Sequence, residues 1–357
     1  MGAVAGAEPS VLAGFRGTEG GGVSVARLLA RPAPVPEGAY ARWLLVVGMP
    51  RSGTTWLGKI LDSHPETLYL HEPDSLDPLP LALAPEPEAA RALAPRLQAW
   101  ARAARAGRHV RVHGKLPLFR KAWRGPAGEL AARASVLAAK AAARRGREWP
   151  VRIGQVPEEA PVIWKSIESL GRLGALLAAL PGLRALVLVR HPCAYVASVL
   201  RGERARRFAS AVRAADDRGV YAQLAATGVA RRLGVDLDTI LDGTPEERLA
   251  WRWALFNAKA LAEAERGRVL VMRHEDLCER PREEAARALA HAGLGMHERV
   301  SAFIGSSTRG GDSGYYGVRR DPRAAASRWR RELPAEVQAR VMDIAAATPA
   351  GALYDLS

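Results

Sequence analysis

The chain of 357 residues is 48% hydrophobic and carries 52 Lys and Arg against 37 Asp and Glu, a formal charge of +15. That length supports one large domain with its own core, and the charge calls for an anionic partner. Two cysteines, Cys193 and Cys278, share no metal-ligand or redox spacing, a count that suits a reducing cytoplasm. No basic segment leads into an apolar run at the N-terminus, and no stretch offers the roughly 18 uncharged apolar residues of a spanning helix. A cytoplasmic protein without stable membrane insertion is expected. A nucleic-acid partner is not, because aromatic residues are not interleaved with the arginines and no reading motif is present.

Residues 1–40 are rich in Gly, Ala and Pro without periodicity and read as a flexible lead-in. Residues 41–357 read as a single domain. Trp43–Val47 is an apolar run stopped by Gly48, which suits a strand buried on both faces. A Gly/Ser/Thr turn and a helix from Trp56 follow, then a short strand over Thr67–Leu70 closed by Pro73. From about 74 to 160, prolines punctuate Ala/Leu/Arg helical stretches, which predicts a helical insertion. Alternation then resumes: a strand over 161–164, a helix near 168–180, the strand Ala185–Val189, a helix from Pro192, helices through about 262, the strand Val269–Met272 and a helix near Pro281. Strands separated by helices predict an α/β fold, a doubly wound parallel sheet with helices on both faces.

Gly48-Met49-Pro50-Arg51-Ser52-Gly53-Thr54-Thr55 joins a predicted strand to a predicted helix, where a glycine-bearing turn aims backbone N–H groups at an anion. The glycine spacing is that of the P-loop NTPase pattern G-x-x-x-x-G-K-[ST], with Thr54 in place of the lysine. That lysine reaches the distal phosphates of a nucleoside triphosphate. Without it, and with Arg51 inside the loop, the turn suits another phosphate-bearing nucleotide.

PRSGTTWL resembles the 5′-phosphosulfate loop of the sulfotransferases, whose common form is Lys or Arg followed by Ser-Gly-Thr-Thr-Trp, and the segment Tyr315–Arg320 resembles the bacterial and carbohydrate types. The resemblance implies a P-loop NTPase-like fold and binding of 3′-phosphoadenosine 5′-phosphosulfate (PAPS) by Arg51, Ser52, Gly53, Thr54, Thr55 and Trp56. Leu186–Pro192 leads into a helix containing Ser198 and resembles the family's 3′-phosphate site, implying that Arg190 and Ser198 hold that phosphate. Val269–Leu277 resembles a late strand and acidic turn, with His274 where a tyrosine is frequent. Its carboxylates are expected to cap the helix near Pro281. Trp329–Leu333 resembles the family's C-terminal helix. An Arg-Lys-Gly segment that closes over the nucleotide in cytosolic members is missing, and Tyr316, Arg319 and Arg320 are the candidates to replace it.

Sulfuryl transfer needs an in-line acceptor oxygen, a base for its proton, and cations facing the sulfuryl oxygens and the leaving phosphate. Arg51 is a candidate for the bridging oxygen. Glu72, in His71-Glu72-Pro73, matches a Glu-Pro whose glutamate is the base in carbohydrate-type members, whereas phenol and steroid enzymes use a histidine. His71 is therefore the alternative and His113 a reserve. Neighbours at a strand end point to opposite sides, so only one of His71 and Glu72 is expected to face the acceptor. Lys165 matches a lysine beside the sulfuryl group, with Lys115 a second candidate. No metal requirement is expected. The acceptor, a hydroxyl or amine of a small molecule or carbohydrate, is to be chosen by residues 74–160 and 203–250. A P-loop kinase or NTPase using ATP and Mg²⁺, with Asp276 as its metal-binding carboxylate, is the competing reading.

Overall fold

The computed structural model describes residues 37–205, 212–265, 267–308 and 322–354. Five strands form one all-parallel sheet: β1 (Trp43–Val47), β2 (Leu68–His71), β3 (Val162–Lys165), β4 (Arg184–Val189) and β5 (Val269–Arg273), in the order β2-β3-β1-β4-β5. Each coincides with a predicted strand to within a residue at either end. The apolar runs are continuous because both faces of the sheet are covered.

Alternation along each strand divides the core in two. Leu45, Val47, Trp164, Val187, Val189 and Val271 belong to one cluster, and Leu44, Val46, Ile163, Leu186, Leu188 and Met272 to the other. Among the described helices that feed the second cluster are α1 (Thr54–Asp62), α13 (Pro281–His291) and α14 (Glu298–Thr308), which contribute Leu57, Ile60, Ala288, Leu289, Phe303 and Ile304. The first cluster receives α6 (Leu173–Ala179), α7 (Pro192–Arg204), α11 (Pro245–Ala262) and α17 (Ala335–Ala346). The sheet thus carries helices on both faces.

The connection from β2 to β3 holds α2 (Pro73–Leu76), α3 (Ala94–Ala106), α4 (Val110–His113) and α5 (Pro126–Ala143). Three short helices, α8 (Arg218–Ala225), α9 (Gly228–Arg232) and α10 (Leu237–Leu241), precede α11. Helix α11 starts from a capping box in which Thr244 accepts from Glu247 N–H and Glu247 accepts from Thr244 N–H. After β5 come α12 (His274–Glu279), α13 and α14, and from residue 322 onward α15 (Pro322–Ser327), α16 (Trp329–Glu332) and α17. No described helix is long and apolar enough to cross a membrane.

The order of the strands decides where a ligand goes. Chain connections leave β1 toward β2 on one side, while β4 and β5 lie on the other, so a crevice opens at the carboxyl ends of β1 and β4. The Gly48–Thr55 turn leaves β1 at that edge, and Arg190 directly follows β4.

Candidate active site

The turn after β1 is built by close backbone approach. A Cβ added at Gly48 would lie 2.5 Å from Leu188 O, so the loop presses against β4 as only glycine allows. Gly53, at φ 91°, rests on the ring of His274, whose Nδ1 would meet an added Cβ at 2.5 Å. The buried Ser52 hydroxyl donates to Met49 O and fixes the turn from within. Helix α1 begins at Thr54 with no side-chain cap and no acidic residue in its first turn, so its own first turn does not offset its positive end. Trp56, on the same helix, donates from Nε1 to Ser307 Oγ at 3.1 Å and ties α1 to α14. Arg51 occupies the left-handed region at φ 75°.

The end of β4 meets this loop directly. Arg51 Nε donates to Ser198 Oγ at 3.2 Å, and Arg190 Nη1 donates to Arg51 O at 2.7 Å. Ser198 projects from α7, one turn before Arg201, whose Nη2 also reaches Ser198 Oγ at 3.5 Å and whose Nη1 pairs with Glu332 of α16. The i, i+3 spacing of Ser198 and Arg201 was the available signal for this third guanidinium. Behind it, Trp253 Nε1 donates to Arg190 O at 2.8 Å, Tyr354 donates to Val189 O at 3.0 Å, and His191 stacks on Trp329 with centroids 4.3 Å apart. Tyr316, Arg319 and Arg320 lie outside the described residues.

The acidic turn after β5 does other work than expected. No described side chain caps α13. Instead Glu275 Oε1 accepts from His191 N–H at 3.1 Å, at the start of α7, because the sheet brings the ends of β4 and β5 side by side. Burial pushes its carboxyl above the usual value. Asp276 is clasped by Arg273, Nη2 to Oδ1 at 2.7 Å, and by Arg280.

At the other side of β1, Lys165 is in register with Val46 on β1 and His71 on β2. Its side chain is 1% exposed and its ammonium pairs with Glu72 Oε1, while its carbonyl accepts from Glu72 N–H at 2.8 Å. Burial pushes the Lys165 ammonium below the ordinary lysine value, against the pull of Glu72. Gly58 of α1 lets the strand pack close: its added Cβ would sit 2.9 Å from Tyr69 Cε2 and 3.4 Å from Lys165 Cγ.

Glu72 and His71 both line one cavity of about 580 Å³, shared with Ser75 and residues of α4 and α5. The expectation that they face opposite ways fails because Glu72 leaves the extended conformation. At φ 49° and ψ 51° it turns left-handed before α2, which cancels the strand alternation. His71 Nδ1 is hydrogen-bonded to Tyr69 Oη at 2.8 Å. Burial, and then Lys165, Lys115 and Lys59, hold its imidazole down at about 2, so it is neutral and a very weak base. His113 does not line this cavity; its Nε2 is 2.9 Å from Gly107 O. Lys115 does line it. Below the cavity, Asp74 accepts from Ser166 and from Ser169 Oγ at 2.5 Å and shapes the turn after β3.

Among the described residues the two non-glycine positions with positive φ are Arg51 and Glu72. Such conformations cost about 1–2 kcal/mol each and gather at functional sites. No group of three His, Cys, Asp or Glu able to hold a metal occurs among the described residues.

A family model described as "Sulfotransferase family" matches residues 44–298, a span that includes the loop, β4 and the helices of the β2–β3 connection. No curated protein sequence is similar enough to count as a relative. Among solved structures, the chain is similar to a sulfotransferase domain from the curacin biosynthetic pathway, with 15% identity over 88% of this chain and 98% of that one and a TM-score of 0.42. A sulfotransferase domain of the Synechococcus PCC 7002 olefin synthase gives 17%, 92%, 97% and 0.40, and a sulfotransferase from Alicyclobacillus acidocaldarius 15%, 81%, 98% and 0.35, in the same order.

Proposed function

Because the chain belongs to the sulfotransferase family, we propose that it transfers the sulfuryl group of PAPS to a hydroxyl or amine of a small-molecule or carbohydrate acceptor. One observation carries the reading. The loop after β1, with Thr54 where a triphosphate enzyme has lysine, touches the Arg190 and Ser198 pair at the end of β4 through bonds of 3.2 and 2.7 Å. A nucleotide phosphorylated at both its 5′ and 3′ positions needs two basic subsites on one crevice, and three guanidiniums with an uncapped helix end suit that donor set.

On this reading the first-turn amides of α1, with Thr54 and Thr55, take the 5′-phosphosulfate, while Arg190, Ser198 and Arg201 take the 3′-phosphate. Arg51 gives up Ser198 and turns its fork to the bridging oxygen, where negative charge grows. The bound PAPS supplies an activated sulfuryl group with a phosphate as its leaving group. Glu72 accepts the acceptor's proton: its Oε1 is held by Lys165, and its side chain borders the cavity. As Glu72 takes the proton, Lys165 loses its counter-charge and becomes free to face the sulfuryl oxygens. The neutral, weakly basic His71 supports Glu72 as the base rather than itself.

The kinase reading has less support. Asp276, its metal-binding candidate, is engaged by Arg273 and Arg280. The two readings separate in one titration: 3′-phosphoadenosine 5′-phosphate should bind the full chain tightly in the presence of a chelator, and ATP with Mg²⁺ weakly. Tighter binding of ATP with Mg²⁺ would discard the sulfotransferase reading, and transfer of label from labelled PAPS to a component of a cell extract would establish it.

A further inference from the structure

The cavity beside Glu72 is strongly one-signed. Arg111 on α4, Lys115 after it, Lys140 on α5 and Arg144 just beyond α5 all line it, and Glu72 is the one carboxylate among its described lining residues. That carboxylate is already matched by Lys165. None of the four cationic side chains makes an ion pair or a hydrogen bond with another described residue, and Lys140 stands near enough to Lys115 and to Arg144 for their like charges to act on one another. Burial lowers the Lys115 ammonium, and Lys165, Lys140 and Lys59 lower it further against the pull of Glu72. Burial and then Arg144 do the same to Lys140. Like charges gathered in a concave site and outnumbering their counter-charges raise its affinity for an anion.

A second basic concavity, of about 660 Å³ among Arg102, Arg105, Arg108 and Arg152, makes the contrast. There Arg105 donates to Pro157 O at 2.6 Å and to Glu158 O at 2.9 Å, and Arg108 to Gly107 O at 2.7 Å. Arg105 and Arg108 hold the chain together, whereas the side chains of Arg111, Lys115, Lys140 and Arg144 hold no other described residue. Lys140 lies against the turn between α4 and Lys115, its Cε 3.4 Å from where a Cβ on Gly114 would stand, while the glycine itself is required by Val110, whose carbonyl oxygen would be 2.4 Å from that Cβ.

We infer that the acceptor is itself an anion, a molecule carrying a sulfate, phosphate or carboxylate that Arg111, Lys115, Lys140 and Arg144 hold while its hydroxyl or amine meets Glu72. This rests on the sulfotransferase reading, since it takes the cavity beside Glu72 as the acceptor site. The anion places the acceptor by charge-assisted bonds, and Glu72 repels any pose that turns the anion toward it.

The test uses the full chain saturated with 3′-phosphoadenosine 5′-phosphate, which occupies the donor crevice and keeps simple anions out of it. Glucose, glucose 6-sulfate, glucose 6-phosphate and glucuronate are titrated in turn at low salt, so that only the anionic group differs. The three anions are expected to bind and glucose not to, with the tightest of the three naming the group. The double variant Arg111→Gln with Lys140→Gln should weaken the anions by about tenfold or more, and Arg111→Glu should abolish their binding, while both keep wild-type affinity for the nucleotide. Equal binding of glucose, no binding of any anion to the loaded chain, or wild-type anion affinity in the nucleotide-binding variants overturns the inference alone. A chain that does not bind 3′-phosphoadenosine 5′-phosphate overturns the donor reading, and this inference with it.

Discussion

Lys165 holds Glu72 at two points, its carbonyl accepting from Glu72 N–H at 2.8 Å and its ammonium donating to Glu72 Oε1. The carboxylate is thereby fixed in place at one oxygen, and on the proposed reading the other takes the acceptor's proton. Glu72→Gln preserves the shape and the Lys165 contact and removes only the basicity. Turnover should fall by about a hundredfold or more, with affinity for 3′-phosphoadenosine 5′-phosphate unchanged. Steady-state rates with labelled PAPS and a nucleotide titration measure the two; retained turnover would move the base elsewhere.

Arg190→Ala and Ser198→Ala should weaken 3′-phosphoadenosine 5′-phosphate far more than adenosine monophosphate, which lacks the 3′-phosphate. The arginine variant should lose about tenfold or more, as expected for a charge-assisted contact. Parallel titrations of both nucleotides check this. Equal losses for the two would remove the 3′-phosphate from this end of β4.

Asp62 lies buried between two lysines, paired with Lys59 and, at 2.7 Å, with Lys121. Burial alone would raise its carboxyl, but Lys121 and Lys59 overcome that and hold it below the usual value. Asp62→Ala leaves two ammonium groups uncompensated in the interior and should cost about 3–5 kcal/mol of stability. Denaturant unfolding measures it, and a loss near zero would mean that water reaches the lysines.

Six histidines are held below the ordinary imidazole value of 6.5 chiefly by burial: His64, and further down His71 at about 2, His274 at about 3, and His113, His191 and His291 at about 4. Each is neutral in the folded chain and takes a proton on unfolding once the pH drops below 6.5. Stability is therefore full above that pH and falls as the pH is lowered toward the folded values, by up to about 1.4 kcal/mol per histidine per unit. The midpoint of thermal unfolding should decline steadily from about pH 7 to about pH 5. A flat profile would contradict their burial.

The five strands were readable because each is an apolar run closed by glycine, proline or a charged residue, as with Trp43–Val47 before Gly48 and Arg184–Val189 before Arg190. The loop after β1 was readable from glycine spacing. The shared cavity of His71 and Glu72 was not, since side-chain alternation presumes extended backbone and nothing in His-Glu-Pro announces a left-handed glutamate. Nor were Trp253 and Tyr354 behind Arg190, which reach it from 63 and, through Val189, 165 residues away. The service of Glu275 to α7 depends on the pairing of β4 with β5, which local sequence does not contain.

Apart from His71, Glu72 and Ser75, every described residue lining the cavity beside the glutamate falls between 110 and 144, within the single connection from β2 to β3. The contacts that join the loop after β1 to the end of β4 draw on none of them. On the proposed reading, substitutions along α4 and α5 retune which molecule is modified while the grip on the nucleotide stays as it is, so that new specificities arise on this scaffold without rebuilding its chemistry.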